Sequence, residues 1–239
     1  ILPRKITVLG YGVDAEAINK VDLAKVKKEL GISASSHTIG SLISLHHKKM
    51  DSILPLIYAV TGYNQKHNGE KNLRLILISE QKWNHNFIYK DLIRFIKDAG
   101  REDDILFYSG KSIETFQKSV DLWLSSFEEN NLSDYSVKSL VLGVPILVPR
   151  NAEVMELFNI YPDIGEAYRR NDSLDVRDKL EKILVNKKTY IKKASKEAIS
   201  IGMTHSVSAY AKELLARYTK TQHARKRAAA KKTRSLNRN

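Results

Sequence analysis

The feature that most constrains this chain is a rhythm. Short, almost wholly apolar runs alternate with stretches of about ten residues whose apolar positions recur at helical spacing. The runs are Ile6 to Leu9, Thr38 to Leu45, Leu73 to Ile78, Ile105 to Tyr108, Val120 to Leu124 and Ile146 to Val148. Leu73 to Ile78, LRLILI, is the strongest. Their apolar residues are near-continuous, the mark of strands buried on both faces, and parallel strands need crossover connections that are usually helical. The sequence therefore predicts an α/β fold: a Rossmann-like parallel sheet flanked by helices, with right-handed crossovers.

The intervening stretches supply the helices. Val21 to Leu30 is amphipathic and ends at Gly31. Ile53 to Thr61 follows a capping Asp51 or Ser52 and gives way to a polar connection from Gly62 to Asn72. Asn86 to Ala99 turns Ile88, Leu92, Ile93 and Ile96 inward and stops at Gly100. Thr115 to Ser119 belongs to a short helix, and Leu132 to Leu142 carries Val137, Leu140 and Val141 ahead of Gly143. Glycine takes the left-handed conformation that closes a helix at little cost. Ala152 to Phe158, Leu174 to Leu184, Lys187 to Ser200 and Ser206 to Tyr218 complete the set.

Charge divides the chain unevenly. The net charge is +13, and the last twenty residues, Lys220 to Asn239, carry eight basic side chains and no acid. The expected organisation is one domain over residues 1–218 and a basic, disordered tail over 219–239. That tail could meet an anionic membrane surface or RNA by releasing counterions. There is no cysteine, which excludes disulfides, thiolate metal sites and a cysteine nucleophile and fits a reducing, cytoplasmic setting. No apolar run approaches the length of a membrane span. His46 and His47 are adjacent, a poor arrangement for chelation on an extended chain. The first residue is Ile1, so the chain is expected to be a fragment.

Open α/β sheets bind ligands beyond the carboxyl ends of their strands. The polar stretches that follow the apolar runs therefore hold the candidate site. The richest is Ser125 to Pro149, in which a strand end passes through Glu128, Glu129, Asn130 and Asn131 into a helix that Ser133 or Asp134 can cap. Lys48 and Lys49 follow the Thr38 to Leu45 run, and Ser109, Gly110 and Lys111 follow Tyr108. A lysine there is a suitable point charge for a phosphate.

In order and spacing these stretches resemble the C-terminal half of GT-B retaining glycosyltransferases with a Glu-x7-Glu motif. Lys5 to Val8 with Gly12, Val13 and Asp14 is similar to that family's entry strand. Ile39 to Asp51 is similar to I-G-x-V-G-R-L-x3-K-G, Leu73 to Ser79 to L-x-I-V-G, and Ile105 to Gly110 to V-x-F-x-G. Ser126 to Pro145 is similar to P-S-x2-E…E-A-M-A-x-G-x-P, and Asn151 to Leu157 to G-G-x-x-E-x-I. The resemblance implies a nucleotide-diphosphate sugar as co-substrate, hexosyl transfer to an acceptor held by an absent N-terminal lobe, and no need of a metal.

Carried over residue by residue, it assigns Lys49 to the donor diphosphate and Ser44 to a position the family fills with arginine. Glu129, or its neighbours Glu128 and Asn130, would face the sugar. Ser109, Gly110 and Lys111 would line the base. Lys138 stands at the second motif glutamate, nine residues after Glu129 rather than eight. A lysine has donors and no acceptor, so it cannot receive the two hydrogen bonds of a ribose diol. These departures keep a second reading open, that of a catalytically degenerate relative acting as a structural partner or sugar-binding subunit.

Overall fold

A computed structural model of the chain describes residues 28, 31, 36–43, 50–67, 73–79, 87–108, 113–126 and 132–236. The expected strand Ile6 to Leu9 and the helix Val21 to Leu30 lie outside these, apart from Lys28 and Gly31. Two compact units emerge: Ala15–Ile201, and Ile1–Asp14 with Gly202–Asn239.

The larger unit is built on six parallel strands: β1 His37–Leu42, β2 Leu73–Ile78, β3 Ile105–Tyr108, β4 Leu122–Leu124, β5 Ile146–Pro149 and β6 Gly165–Tyr168. They lie in the order β3-β2-β1-β4-β5-β6. Between and beyond them run α1 Met50–Lys66, α2 Phe87–Asp98, α3 Ile113–Ser119, α4 Asp134–Val141, α5 Ala152–Ile160, α6 Ser173–Val185 and α7 Lys187–Thr204. The predicted parallel α/β sheet is thus the one observed.

Two faces of the sheet are covered, which is why its strands read as continuous apolar runs. On one face, Leu56, Val60 and Tyr63 of α1, Leu92 of α2 and Leu180 of α6 join Ile39, Leu75, Leu122 and Leu147 in a single buried cluster. On the other, Phe116 of α3 closes over β1 so tightly that a Cβ at Gly40 would stand 2.9 Å from its ring. Phe116 in turn meets Trp123 of β4 edge to face, with ring centroids 6.3 Å apart. Val137 and Leu140 of α4 are buried beside β5.

Several boundaries differ from the sequence expectation. Helix α1 starts at Met50, so Asp51 and Ser52 stand within its first turn rather than capping it. It also runs on through Gly62 to Lys66, because Tyr63 and Asn64 are buried there. The Asn64 side chain receives the Leu73 N–H and donates to the Leu73 carbonyl and the Asp104 carboxylate, tying the end of α1 to the starts of β2 and β3. Ile93 is partly exposed, not inward; among the described side chains of α2, Ile88, Leu92 and Ile96 form the buried stripe. Gly143 stops α4 with φ of +76°, as its position predicts.

Strand β6 has no counterpart in the sequence reading. It is a four-residue edge strand, GEAY, whose Glu166 breaks the apolar pattern. That carboxylate is satisfied by Lys179 and Lys182 of α6 and the Tyr190 hydroxyl of α7. Gly165 is required for the pairing, since a Cβ there would stand 2.2 Å from the Ile146 carbonyl oxygen.

In the smaller unit, helix α8 spans Val207–Leu236. The expected boundary after residue 218 therefore falls inside a helix, and 219–236 is helical where disorder was expected. The stretch is rich in alanine, lysine and arginine and lacks glycine and proline, so every residue tolerates the helix.

Candidate functional site at the carboxyl edge of the sheet

The strand order creates one reversal. From β1 the chain builds outward through β2 to β3; from β4 it builds the opposite way through β5 to β6. The two starting strands are neighbours, with Ile39 opposite Leu122 and Gly40 opposite Trp123. Open α/β sheets place ligands in a crevice at such a reversal of strand order, which here falls between the carboxyl ends of β1 and β4. Each helix that directly follows a strand begins at this edge, so N–H groups and positive dipole ends gather there.

The sequence-predicted residues sort cleanly against this frame. Ser44 and Lys49 belong to the connection after β1, and Lys49 immediately precedes the first residue of α1. Ser109, Gly110 and Lys111 belong to the connection after β3, and Glu128, Glu129 and Asn130 to that after β4. All eight lie outside the described residues. What the structure gives is the framework at either end of their segments. The connections after β1 and β4 leave neighbouring strands.

The exit from β4 is held firmly. The Ser125 N–H donates to the Leu147 carbonyl at 3.0 Å, and the Tyr168 hydroxyl donates to the Ser125 carbonyl at 2.5 Å. The Ser125 hydroxyl meets that of Ser136 at 2.8 Å, and Ser136 meets Ser133 at 2.9 Å. Ser133 is the N-cap of α4, its oxygen accepting the Ser136 N–H. The capping role read for Ser133 is the one it fills. At the far end of the segment, the Leu132 N–H donates to the Glu153 carboxylate at 3.0 Å. Glu153 stands in the first turn of α5, itself capped by Asn151. Ser125 and Leu132 thus clamp the segment holding Glu128 to Asn130 to the body from both sides.

Lys138 is the one candidate whose side chain is described. It lies in α4, one turn in, mostly buried. Its ammonium pairs with Asp134 at 2.9 Å and with Glu114 of α3 at 3.3 Å, and it stands 5.3 Å from the Tyr135 ring centroid. Burial alone would lower its proton affinity, but the two carboxylates outweigh burial and hold it above the ordinary lysine value. The first turns of α3 and α4 are thereby cross-linked.

Sequence reasoning missed Glu114, Ser136 and Tyr168. Glu114 carried a usable signal, an acid in a helix's first turn. Tyr168 carried none, because its strand was not recognised. Among the described residues no group of three or more His, Asp or Glu side chains is placed to hold a metal ion. No helix among them is long and apolar enough to cross a membrane. A groove between α1 and α2, lined by Tyr58, Thr61, Gln65, Phe95 and Arg101, sits toward the carboxyl ends of those helices, away from the crevice.

No family model matches the sequence, and no curated protein does. Solved structures do match the fold. Anabaena Alr3699/HepE, solved in complex with UDP, superposes with a TM-score of 0.73 at 16% identity over 90% of this chain and 57% of its own. A glycosyltransferase from Rickettsia africae gives 0.73 at 16% identity, over 92% of this chain and 58% of its own. The C-terminal domain of a glycosyl transferase group 1 family protein, LpcC, from Francisella tularensis gives 0.59 at 16% identity, over 82% of this chain and all of its own. The chain therefore spans 57% and 58% of the first two proteins and the whole of a C-terminal domain. The fold is that of the C-terminal half of a GT-B glycosyltransferase.

Proposed function

We propose that the crevice between β1 and β4 binds a nucleotide-diphosphate sugar, and that this chain is the donor-binding half of a glycosyltransferase. One observation carries the reading. The strands that precede Lys49 and Glu128 to Asn130 in the chain, β1 and β4, are neighbours at the reversal of the strand order, and the helices that follow the strands begin at that edge. The structural neighbours add support, since HepE was solved with UDP and with UDP-glucose. In this reading Lys49 and the N-terminus of α1 meet the diphosphate. Glu129 or a neighbour faces the sugar, Ser44 offers one hydroxyl, and Ser109 to Lys111 line the base.

The chemistry is then transfer of a hexosyl group. The bond from the sugar's anomeric carbon to the diphosphate oxygen breaks, and the acceptor oxygen, losing its proton, bonds to that carbon. The leaving diphosphate takes up negative charge, and preorganised donors at a helix N-terminus with a lysine stabilise it. The acceptor would be held by residues beyond this chain.

A second reading rests on Lys138. Its ammonium is engaged by Asp134 and Glu114, and lysine offers a ribose diol no acceptor. A relative that kept the fold and lost the donor site would look the same there. Calorimetric titration with UDP- and GDP-sugars separates the two. Saturable binding that weakens about tenfold or more in Lys49→Ala supports transfer. Absence of binding with every donor supports the non-catalytic partner.

A further inference from the structure

One side chain ties together the exits of three strands. Tyr168, the last residue of β6, is fully buried. Its hydroxyl reaches past β5 and donates to the Ser125 carbonyl, just beyond the end of β4. Its own carbonyl accepts the Arg150 N–H at 2.8 Å, just beyond the end of β5. Neighbouring strands stand about 4.8 Å apart, so about 10 Å separates β6 from β4. A long side chain ending in a hydroxyl crosses that gap and satisfies a buried carbonyl, which is costly to leave unpaired. Ser125 is thereby held at all three of its polar groups: N–H by Leu147, carbonyl by Tyr168 and hydroxyl by Ser136.

These bonds close a circuit. Two residues beyond the Asn151 cap, the Glu153 carboxylate accepts the Leu132 N–H. Ser133 follows Leu132 and leads through Ser136 back to Ser125. Ser125 and Leu132 are the two ends of the connection after β4. Glu153 is exposed, where water can take over its bond, whereas Tyr168 is buried, where water cannot. We infer that Tyr168 is a positioning residue: from an edge strand that does not border the reversal of strand order, its hydroxyl fixes where the connection after β4 leaves the sheet. Its consequence for a ligand rests on the donor-binding reading, in which that connection faces the sugar. Lys49 and Ser109 to Lys111, which follow β1 and β3, meet the diphosphate and the base. Tyr168 then governs affinity for the sugar moiety and leaves the nucleoside diphosphate alone.

Tyr168→Phe removes the hydroxyl and keeps the ring. Tyr190→Phe is the matched control, since it removes a tyrosine hydroxyl bonded to Glu166 of the same strand but outside the circuit. Amide exchange is measured first by NMR, without ligand, taking Leu73 at the amino edge as the reference for global opening. Relative to Leu73, exchange at Ser125 and Leu132 is expected to rise about tenfold in Tyr168→Phe and to stay unchanged in Tyr190→Phe. Calorimetric titration of each variant with UDP and with UDP-glucose follows. In Tyr168→Phe the affinity for UDP is expected to stay within about twofold of wild type and that for UDP-glucose to fall about tenfold. A general loss of stability would not divide the two ligands, and Tyr190→Phe should not divide them. Unchanged exchange in Tyr168→Phe, or the same rise in both variants, overturns the positioning role. Raised exchange with UDP and UDP-glucose weakened equally, or neither weakened, overturns the assignment to the sugar. Wild type that binds neither ligand sinks the donor reading and the sugar assignment with it, while the exchange result still decides the positioning role.

Discussion

The two edges of the sheet use their polar groups in opposite ways. At the amino edge, side chains bond to one another. Asp121 accepts from the Thr38 N–H and hydroxyl and pairs with Lys187 at 2.8 Å, while Asn64 joins Leu73 and Asp104. At the carboxyl edge, bonding is spent on holding the two ends of the connection after β4, and the helices that follow the strands begin there. Ser125, Ser133, Ser136 and Glu153 fix where the segment after β4 leaves and returns. One edge closes the fold, and the other is a frame around a crevice. Changes at the amino edge should therefore cost stability without touching ligand affinity, and changes at the carboxyl edge should do the reverse.

The largest effect is expected from Gly165→Ala. Its new Cβ would meet backbone that cannot yield, so a loss of more than about 3 kcal/mol is expected in urea denaturation. Asn64→Ala comes next. It strands the buried Leu73 N–H and one Asp104 contact, costing about 2–3 kcal/mol. In both variants donor affinity of the folded fraction should stay within about twofold; a larger fall would dissolve the contrast between the edges.

Lys138→Gln sharpens the same contrast from the other side. It removes the ion pairs to Asp134 and Glu114, both partly exposed, so the stability loss is about 1 kcal/mol or less. If Lys138 only ties α3 to α4, donor affinity changes little. A tenfold loss at unchanged stability would instead place its ammonium on the donor.

The smallest effect concerns pH. Burial would raise the Glu166 carboxyl, but the bonds from Lys182 and Tyr190 and the charge of Lys179 outweigh burial and hold it below the usual glutamate value. Its folded value lies under its unfolded one, so the stability it lends is present above the ordinary carboxylate range. That stability is lost as pH falls through the folded value. Acid titrations of wild type and Glu166→Gln should converge at low pH and separate above it; parallel curves would remove Glu166 from the account.

Sequence alone made the architecture legible because buried parallel strands leave an unbroken apolar signature. Leu73–Ile78 was readable to the residue for that reason, and the edge strand Ile105–Tyr108 was too, because its run is apolar although only Ile105 is buried. Where tertiary context decides, the pattern fails. Asn64 extends α1 past Gly62 by satisfying the backbone of a strand nine residues on, which no local window contains. Strand β6 hides because Glu166 looks solvated until Lys179, Lys182 and Tyr190 are placed around it. The site was legible as a set of connections after strand ends. The Ser125, Ser136 and Tyr168 bonds that clamp one of them join residues far apart in the chain, and periodicity carries no trace of such pairings.

The most direct test is amide mapping by NMR while UDP is titrated into the chain. Binding at the crevice predicts saturable shifts for residues framing it, among them Ser125, Leu132, Ser133 and Asn151, with Leu73, Asp104 and Asp121 unmoved. Shifts concentrated at the amino edge, or none anywhere, would contradict it.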